Sequence, residues 1–144
     1  MRFARGRLFM PPPERDSMGN PPKKTMVCVT VQKTCDRLIR EGAALAGDRG
    51  LRVVHVARNG EKLLGGGSDS EALEYLFRKS REYGAEMDML RSDNVIDTIV
   101  ELAKKNEVEY LVVGPPGPGT THDFAAQLRS RLPSVTVFVA AQHP

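Results

Sequence analysis

EYLVVGPPGPGTT, residues 109–121, is the stretch of the chain that says most about the fold. Tyr110 to Val113 form a short unbroken apolar run, which is typical of a central strand in a parallel sheet covered on both faces. The next six residues, GPPGPG, consist only of glycine and proline and therefore cannot form helix. Thr120 and Thr121 then offer hydroxyl groups that can cap a following helix. The stretch predicts a buried strand, a glycine-rich turn and a helix N-terminus.

This order of elements presents free backbone N–H groups to an anion, because the first amides of a helix have no partner within it. The glycine-rich turn is not a Walker loop, since no Gly-Lys-Thr follows it, and it lacks the G-x-G-x-x-G of dinucleotide-binding domains. Two interpretations stay open, a phosphate-binding loop and an ordinary strand-to-helix turn rich in glycine.

The composition predicts one soluble globular domain. The chain has 144 residues, of which 40% are hydrophobic and 27% charged. It has neither the run of about 20 apolar residues that a membrane helix needs nor the apolar core of a signal peptide, so we expect a cytoplasmic protein. The two cysteines, Cys28 and Cys35, have no second pair, which argues against a zinc site or a disulfide scaffold.

The positive charge of the chain belongs to its proline-rich first 24 residues. They contain six basic and two acidic residues, whereas residues 25–144 contain 15 basic and 16 acidic residues. We expect residues 1–24 to be a disordered tail or, as we prefer, the product of a start assigned too early, with Met10 or Met18 as the initiator. Residues 25–141 are the predicted folded domain, and without a basic excess this domain is not expected to bind nucleic acid.

Hydrophobic periodicity predicts five strands that alternate with four helices. A capping box that begins at Ser68 marks the start of the second helix, while Thr34 and Ser92 are expected to cap the first and third. Gly50 is expected to end the first helix. The predicted strands span 26–31, 51–57, 85–90, 110–113 and 135–140, and the residues expected on buried helix faces include Leu38, Ile39, Ala72, Leu73, Leu76, Phe77, Ile99, Val100, Ala125 and Leu128.

Strands and helices that alternate with short connections form a three-layer α/β/α sandwich around a parallel sheet, because crossovers between parallel strands are right-handed. In such sheets ligands bind beyond the carboxyl ends of the strands, where the strand order reverses. If the first strand lies beside the fourth, this crevice is lined by Thr30, Val31 and the glycine-rich turn. The predicted class is α/β with a five-stranded parallel sheet.

From Met26 to Ala140 the chain resembles the universal stress protein family. The resemblance rests on VCVTV at 27–31, LRVVHVA at 51–57 and DTIVELAKKNEVEYLVVG at 97–114. The longer stretch VCVTVQKTCDRLIREGAALA also resembles the stress-protein-like domain of Kdp-type potassium-sensor histidine kinases. The family resemblance implies a Rossmann-like (adenine nucleotide alpha hydrolase-like) fold with strand order 3-2-1-4-5. It also implies a homodimer that pairs through the apolar fifth strand, at Val135, Val137 and Val139.

ATP-binding members of that family carry Gly, two residues, Gly, nine residues and then Gly-Ser or Gly-Thr. Gly114 and Gly117 match the first half, but Gln127-Leu128 stands where the second half is expected. Gly119-Thr120 can serve as the second half if the intervening segment has shrunk to Pro118. Such a deletion keeps a phosphate cradle and removes the part of the loop that folds over a triphosphate.

ATP-binding members also have an aspartate at the end of the first strand, which reaches the adenine and ribose. Here the segment is Thr30-Val31-Gln32, and the first acid is Asp36. The resemblance implies ATP or AMP as the ligand, with Mg as a candidate companion, and a smaller phosphate ligand suits the shortened loop equally. The nucleotide-binding residues that it implies are Thr30, Val31, Gln32, Ala57, Gly114, Gly117, Gly119, Thr120 and Thr121.

Four further residues carry side-chain chemistry. Cys35 lies in the first turn of a predicted helix, where a thiol pKa falls, so a redox sensor and a buried core residue are both open interpretations. His122 lies near the glycine-rich turn and can contact an anion, whereas His55 and Cys28 are expected in the core. The sequence offers no convincing catalytic triad, metal-ligand cluster or pair of carboxylates.

These observations leave two classes of function, with an enzyme as a distant third. The first is a regulatory module that binds an adenine nucleotide or another phosphate ligand without efficient catalysis, which the glycines of the turn favour. The second is a module that acts through protein contacts with an empty crevice, which the missing aspartate and the shortened loop favour. The third is a slow ATP hydrolase, for which the sequence identifies no base or metal ligand.

Overall fold

The computed structural model describes residues 21–115 and 124–140. Within these ranges the chain forms five strands and four α-helices, which alternate along the sequence as predicted. A short 3-10 turn, Leu63–Gly65, lies in the connection after the second strand. In chain order the elements are β1 Thr25–Cys28, α1 Gln32–Ala46, β2 Leu51–Ala57, α2 Asp69–Glu82, β3 Glu86–Arg91, α3 Val95–Lys105, β4 Tyr110–Val113, α4 Phe124–Arg131 and β5 Thr136–Val139.

The five strands form one parallel sheet in the order β3-β2-β1-β4-β5, which confirms the predicted fold class and strand order. In the register of the central strands, Val27 of β1 lies beside Val53 of β2 and Val112 of β4. All three side chains are buried on one face of the sheet, and their neighbours Met26, Val54 and Leu111 are buried on the other, which is why these strands read as apolar runs. The chain builds outward from β1 to β3 and then returns to β4 on the other side of β1, so the strand order reverses between β1 and β4.

The helices cover the sheet in pairs, α1 with α2 on one face and α3 with α4 on the other. Leu38 of α1 and Leu76 of α2 belong to the first core layer, and Leu128 of α4 belongs to the second. The contact between α1 and β1 is close at Gly42, where a Cβ atom would lie 2.2 Å from Cγ2 of Val27. Packing against the strand therefore requires glycine at this position.

Two residues that were predicted to lie in the core, Leu73 and Phe77, are 43% and 51% exposed. The stripe that α2 buries is Ala72, Leu76 and Ser80, and each successive residue of a helix points about 100° away from the last. The prediction was wrong because α2 packs against β3, the edge strand, so only a narrow face of this helix meets the sheet.

The starts and ends of two helices also differ from the prediction. Thr34 lies inside α1 rather than capping it, and α1 ends at Gly47 rather than at Gly50. α3 begins after Asn94, whose backbone N–H donates to the hydroxyl oxygen of Ser92 over 3.0 Å. In both cases the polar residue lies within three positions of the true boundary but makes a different local hydrogen bond.

The last residues of the predicted tail lie against the domain. The hydroxyl of Tyr110 donates to the carbonyl oxygen of Pro21 over 3.0 Å, and the backbone N–H of Lys23 donates to the carbonyl of Leu45 over 3.3 Å. Residues 1–20 lie outside the described residues, so the predicted disorder stays a prediction there. Among the helices that the structure describes, none has the length and apolar character needed to cross a membrane.

Candidate functional site

A cavity of about 520 Å³ lies at the carboxyl edge of the sheet, beyond the ends of β1 and β2. Thr30 and Val31, which follow β1, line it, together with His55 and Val56 of β2. Val95, the first residue of α3, also contributes to the lining. This is the edge at which parallel sheets bind ligands, next to the strand at which the order reverses.

Part of the cavity wall comes from residues 58–67, called here the rim segment, which connect β2 to α2. Gly65 brings this segment close to the end of β1, since a Cβ atom there would lie 3.0 Å from Cγ1 of Val31. Gly65 also has a φ of +87°, so both the close approach and the backbone conformation favour glycine. Leu64 has a left-handed φ of 53° as well, and its side chain is buried, which helps to hold the turn.

His55 joins the rim segment to the sheet from within the core. Its side chain is 4% exposed, and Nδ1 lies 2.9 Å from the carbonyl oxygen of Val29. The backbone N–H of Leu64 donates to Nε2 over 3.0 Å. Because Nε2 accepts this bond, the ring is neutral and Nδ1 carries the proton that is donated to Val29. Burial lowers the pKa of His55, which favours the same neutral form.

Charged side chains hold the rim segment from the outside. The guanidinium of Arg91, the last residue of β3, donates to the carbonyl oxygens of Arg58 and Glu61 over 3.1 and 2.8 Å. It also donates to the carboxylate of Asp69 over 2.9 Å. Asp69 in turn accepts a hydrogen bond from the backbone N–H of Leu63 over 3.1 Å. Side chains of β2, β3 and α2 therefore fix the rim segment.

The cavity has more positive than negative charge around it. Arg58 and Lys62 line it, against one carboxylate, Glu61, which accepts a hydrogen bond from the backbone N–H of Arg58. The Arg58 guanidinium makes only a long contact of 3.4 Å with the carbonyl oxygen of Asp93. Within the described residues, neither Arg58 nor Lys62 forms an ion pair with a carboxylate. Their positive charges therefore favour an anionic ligand.

A second cavity, of about 420 Å³, adjoins the first, since Arg58 and Val95 line both. It lies between the start of α3 and α4, where Phe124 contributes to the lining. Asp97 of α3 and Arg131 of α4 form an ion pair beside it. The two cavities together give the carboxyl edge room for a ligand with more than one part.

The predicted site residues on the first two strands are only partly brought together. Thr30 and Val31 line the cavity, as the sequence predicted. Gln32 is exposed at the start of α1 and does not line the cavity. Ala57 is 3% exposed, and its side chain belongs to the core layer beneath α1 and α2. The contribution of Gln32 and Ala57 to binding thus stays a prediction, without support from the lining of this cavity.

The glycine-rich turn is described only at its beginning. Gly114 is half-buried directly after β4, and a Cβ atom there would lie 3.6 Å from Cδ1 of Leu38, which is ordinary van der Waals contact. The protein itself therefore leaves room for alanine at this position. Four more predicted ligand residues, together with His122, lie outside the described residues, and their roles stay predictions: Gly117, Gly119, Thr120 and Thr121.

Of the two interpretations of Cys35, the structure supports the buried core residue. The side chain is 0% exposed, and its thiol donates to the carbonyl oxygen of Val31 over 3.3 Å. Burial, with a smaller contribution from the nearby Asp36 carboxylate, raises the pKa of the Cys35 thiol to about 12. The cost of burying a thiolate outweighs the influence of the helix N-terminus. Cys28 is buried in the core as predicted, and burial raises the pKa of its thiol to about 12 as well.

Asp36, the first acid after β1, is engaged with other residues. Its carboxylate accepts a hydrogen bond from the hydroxyl of Tyr83 over 3.1 Å and pairs with Lys79 and Arg40 over 3.3 and 2.7 Å. Although burial opposes it, these hydrogen bonds hold the pKa of Asp36 below its usual range. The acid thus ties α1 to α2, and it does not line the cavity at the carboxyl edge.

The sequence analysis did not identify Arg58, Lys62 and Val95 as cavity residues, and it treated His55 only as core. The available signal was the long connection after β2, which ends in three glycines and lies at the same edge as the glycine-rich turn. For His55 the signal was a polar side chain at a buried strand position, which requires hydrogen-bond partners. Within residues 21–115 and 124–140, no group of His, Cys, Asp and Glu is arranged to hold a metal ion.

Comparison with models of known families gave no match, and comparison with curated protein sequences gave none either. Solved structures do share the fold. A universal stress protein in complex with cAMP is 19% identical with a TM-score of 0.58, over 83% of this chain and 98% of that one. The universal stress protein of Archaeoglobus fulgidus in complex with dAMP is 21% identical with a TM-score of 0.54, over 81% and 95%.

A universal stress protein family protein of Arabidopsis thaliana with AMP bound is 20% identical, with a TM-score of 0.52 over 82% of this chain and 90% of that one. At this level of identity the likeness establishes the fold. The chain therefore has the fold of the universal stress proteins, which agrees with the resemblance that its strands suggest.

Proposed function

We propose that this chain is a member of the universal stress protein family and binds an adenine nucleotide, or another ligand with a phosphate group, at the carboxyl edge of its sheet. The observation that carries the proposal is the cavity of about 520 Å³ beside the reversal of strand order. Thr30 and Val31, in the connection after β1, line this cavity, and the cationic side chains of Arg58 and Lys62 flank it. The structures of similar fold that contain cAMP, dAMP and AMP support an adenine nucleotide as the ligand.

In this proposal the base binds near Thr30 and Val31, and the phosphate binds at the turn after β4. Gly114 begins that turn, and its glycines permit close approach of a phosphate to the backbone. ATP and AMP are the candidate nucleotides, with Mg as the companion of ATP. The proposed role is regulatory binding without efficient catalysis, since no residue of the described cavity is assigned as a base or a nucleophile.

A homodimer that pairs through β5, in the cytoplasm, is part of the same proposal. β5 is an edge strand whose sequence, TVFV, carries no charge. Val137 is buried and Val135 partly buried against α3 and α4, whereas Val139 is 41% exposed. An uncharged edge strand with an exposed valine is a template for pairing with a second copy.

A protein-interaction module with an empty crevice is the second candidate. It is favoured by the engagement of Asp36 with Lys79 and Tyr83, which leaves this first acid after β1 away from the cavity. Under this alternative the surface of the domain binds other proteins, and the carboxyl edge of the sheet binds no ligand.

Two measurements test the proposal. Mass spectrometry of the freshly purified, denatured protein should detect a released adenine nucleotide, and calorimetric titration with ATP and AMP should show saturable binding. The variant Gly114→Ala should bind roughly tenfold more weakly, because its methyl group occupies the approach of the phosphate. Its melting temperature should match that of the parent, because the added Cβ atom has room.

A protein that releases no nucleotide and gives no heat with either ligand would contradict the proposal and favour the interaction module. An affinity unchanged in Gly114→Ala would contradict the phosphate site at the turn. ATP and AMP differ in phosphate number alone, so their relative affinities also measure how much of a triphosphate the shortened turn accepts.

A further inference from the structure

The contacts of His55 set the position of the rim segment, which forms part of the cavity wall. Both ring nitrogens are used, Nδ1 toward the carbonyl oxygen of Val29 after β1 and Nε2 toward the backbone N–H of Leu64. The imidazole thus bridges the central sheet and the rim segment within the core. Leu64 is held there in a left-handed conformation, and Gly65 follows it in contact with Val31.

The bond to Leu64 exists only while Nε2 is unprotonated, because a backbone N–H can donate only to an acceptor. A proton on Nε2 turns two groups that attract into two donors that face each other. Because His55 is only 4% exposed, two donors that face each other there are costly, and breaking the contact with Leu64 relieves the conflict. Protonation therefore releases Leu64, and with it Gly65, from the sheet, while Asp69 and Arg91 continue to hold Leu63 and Glu61.

The charged groups around His55 come from three elements. Arg58, Glu61 and Lys62 belong to the rim segment, Arg91 to β3, and Asp69 to α2, where it is paired with Arg91. From α1 the nearest titratable group in this core layer is the thiol of Cys35, which stays uncharged because burial raises its pKa to about 12.

Burial and the positive charge of Arg91 lower the pKa of His55, while the hydrogen bond to Val29 and the charge of Glu61 act in the opposite direction. The balance lies below the ordinary histidine value of about 6.5. Neutral His55 is therefore the form present at pH 7, and protonation requires a pH below the ordinary histidine value.

We infer that His55 is a positioning residue that holds the rim segment in its binding conformation only while its ring is neutral, so that acidification weakens ligand binding at the carboxyl edge. The effect on ligand rests on the function proposed above, whereas the pinning of Leu64 does not depend on any ligand.

The sign of the effect on stability follows from the same shift. The unfolded chain takes up a proton at His55 near pH 6.5, and the folded chain does so only at lower pH. The contribution of neutral His55 to the free energy of unfolding is therefore fully present above pH 6.5, the value for the unfolded chain. It is lost as the pH falls through the lower pKa of the folded chain.

Two NMR measurements test the contact between His55 and Leu64 in the absence of ligand. One follows the imidazole nitrogens, and the other follows hydrogen exchange at the Leu64 amide. At pH 7.5 we expect the tautomer with the proton on Nδ1 and a protected amide at Leu64, and on acidification we expect this protection to be lost as the ring protonates. Protection of Leu64 that persists while the ring is protonated would overturn the inference. A Leu64 amide that exchanges freely at pH 7.5 would do the same.

Binding is tested with cAMP, whose single phosphate charge does not change between pH 5 and pH 8. We expect the parent to bind roughly tenfold more weakly at a pH where NMR shows the His55 ring protonated than at pH 7.5, the loss expected for one buried hydrogen bond. His55→Gln can offer an amide oxygen to Leu64, so it should bind with little dependence on pH. His55→Asn keeps a donor for Val29 but no acceptor for Leu64, so it should bind weakly at both pH values.

The dependence of cAMP affinity on pH is compared between the parent and His55→Gln. A difference between the two slopes separates the effect of His55 from that of every other titrating group. Equal slopes over a pH range in which NMR shows the parent's His55 ring to protonate would overturn the inference even if binding falls in acid, and they can be read whether or not His55→Asn folds. If cAMP, ATP and AMP all fail to bind, the proposed function fails, and the exchange of Leu64 still decides whether His55 pins the rim segment.

Discussion

The two edges of the parallel sheet are closed in different ways. At the amino edge backbone hydrogen bonds join the connections to one another, as where the N–H of Thr25 donates to the carbonyl of Gly50 over 3.0 Å and that of Ala85 to the carbonyl of Ser80 over 2.8 Å. The hydroxyl of Tyr110 and the ion pairs of Arg52 add side-chain contacts there. At the carboxyl edge the rim segment is held instead by the imidazole of His55 and the guanidinium of Arg91. Both edges contain cavities, of about 340 Å³ and 520 Å³, so space alone does not distinguish them.

The difference indicates which edge can respond to its surroundings. A backbone closure persists through most side-chain substitutions, whereas a closure made by side chains changes with each substitution, proton or ligand that competes for them. We therefore expect changes at the amino edge to alter stability alone, and changes at the carboxyl edge to alter ligand binding with smaller effects on stability.

The largest expected effect at the amino edge is that of Gly84→Val. Gly84 ends α2 with a φ of +68°, and no atom lies within 4 Å of an added Cβ, so the substitution acts through backbone strain. We expect a loss of about 1–2 kcal/mol in the free energy of unfolding, measured by urea denaturation. Gly84→Asn is the matched control and should lose less, because asparagine tolerates this conformation. An altered affinity for AMP in Gly84→Val at 25 °C would break the comparison.

A smaller effect on stability is expected for Arg91→Gln at the carboxyl edge. Arg91 holds the rim segment through two backbone carbonyls, so the variant should bind AMP several-fold more weakly in calorimetry. Its free energy of unfolding should fall by less than about 1 kcal/mol, because the ion pair with Asp69 is largely exposed.

Arg52→Gln is the control for Arg91→Gln. Like Arg91, Arg52 makes ion pairs from an edge of the sheet, in this case with Asp88 and Glu86 of β3. It lies near the amino end of β2. Its loss should leave the affinity for AMP unchanged. Equal losses of affinity in the two variants would show that the carboxyl edge has no special role.

Buried elements were the part of the fold that could be predicted from the sequence. The bounds of β2 and β4 agree with the prediction, because a strand covered on both faces is an apolar run with clear ends. Ser68 caps α2 as predicted, since its hydroxyl oxygen accepts from the N–H of Glu71 over 3.1 Å. The strand order came from the resemblance and not from periodicity, which identifies elements without pairing them.

Positions at the margins of the sheet could not be predicted in the same way. The periodicity of α2 admits Phe77 as readily as Leu76, and only the narrow contact with the edge strand leaves Phe77 exposed. Gly65 and His55 meet at the cavity because the rim segment folds back across the end of β2, a path held by Arg91, which is about 30 residues away in sequence. The sequence shows which residues can bond, and the structure shows which of them meet.

The most direct test of ligand binding at the carboxyl edge is a titration with AMP followed by ¹H–¹⁵N NMR. The glycines report on both edges, with Gly65 and Gly114 at the carboxyl edge and Gly50 and Gly84 at the amino edge. We predict saturable shifts for Gly65 and Gly114 while Gly50 and Gly84 stay unmoved. Shifts confined to Gly50 and Gly84, or none at all with AMP in large excess, would contradict the account.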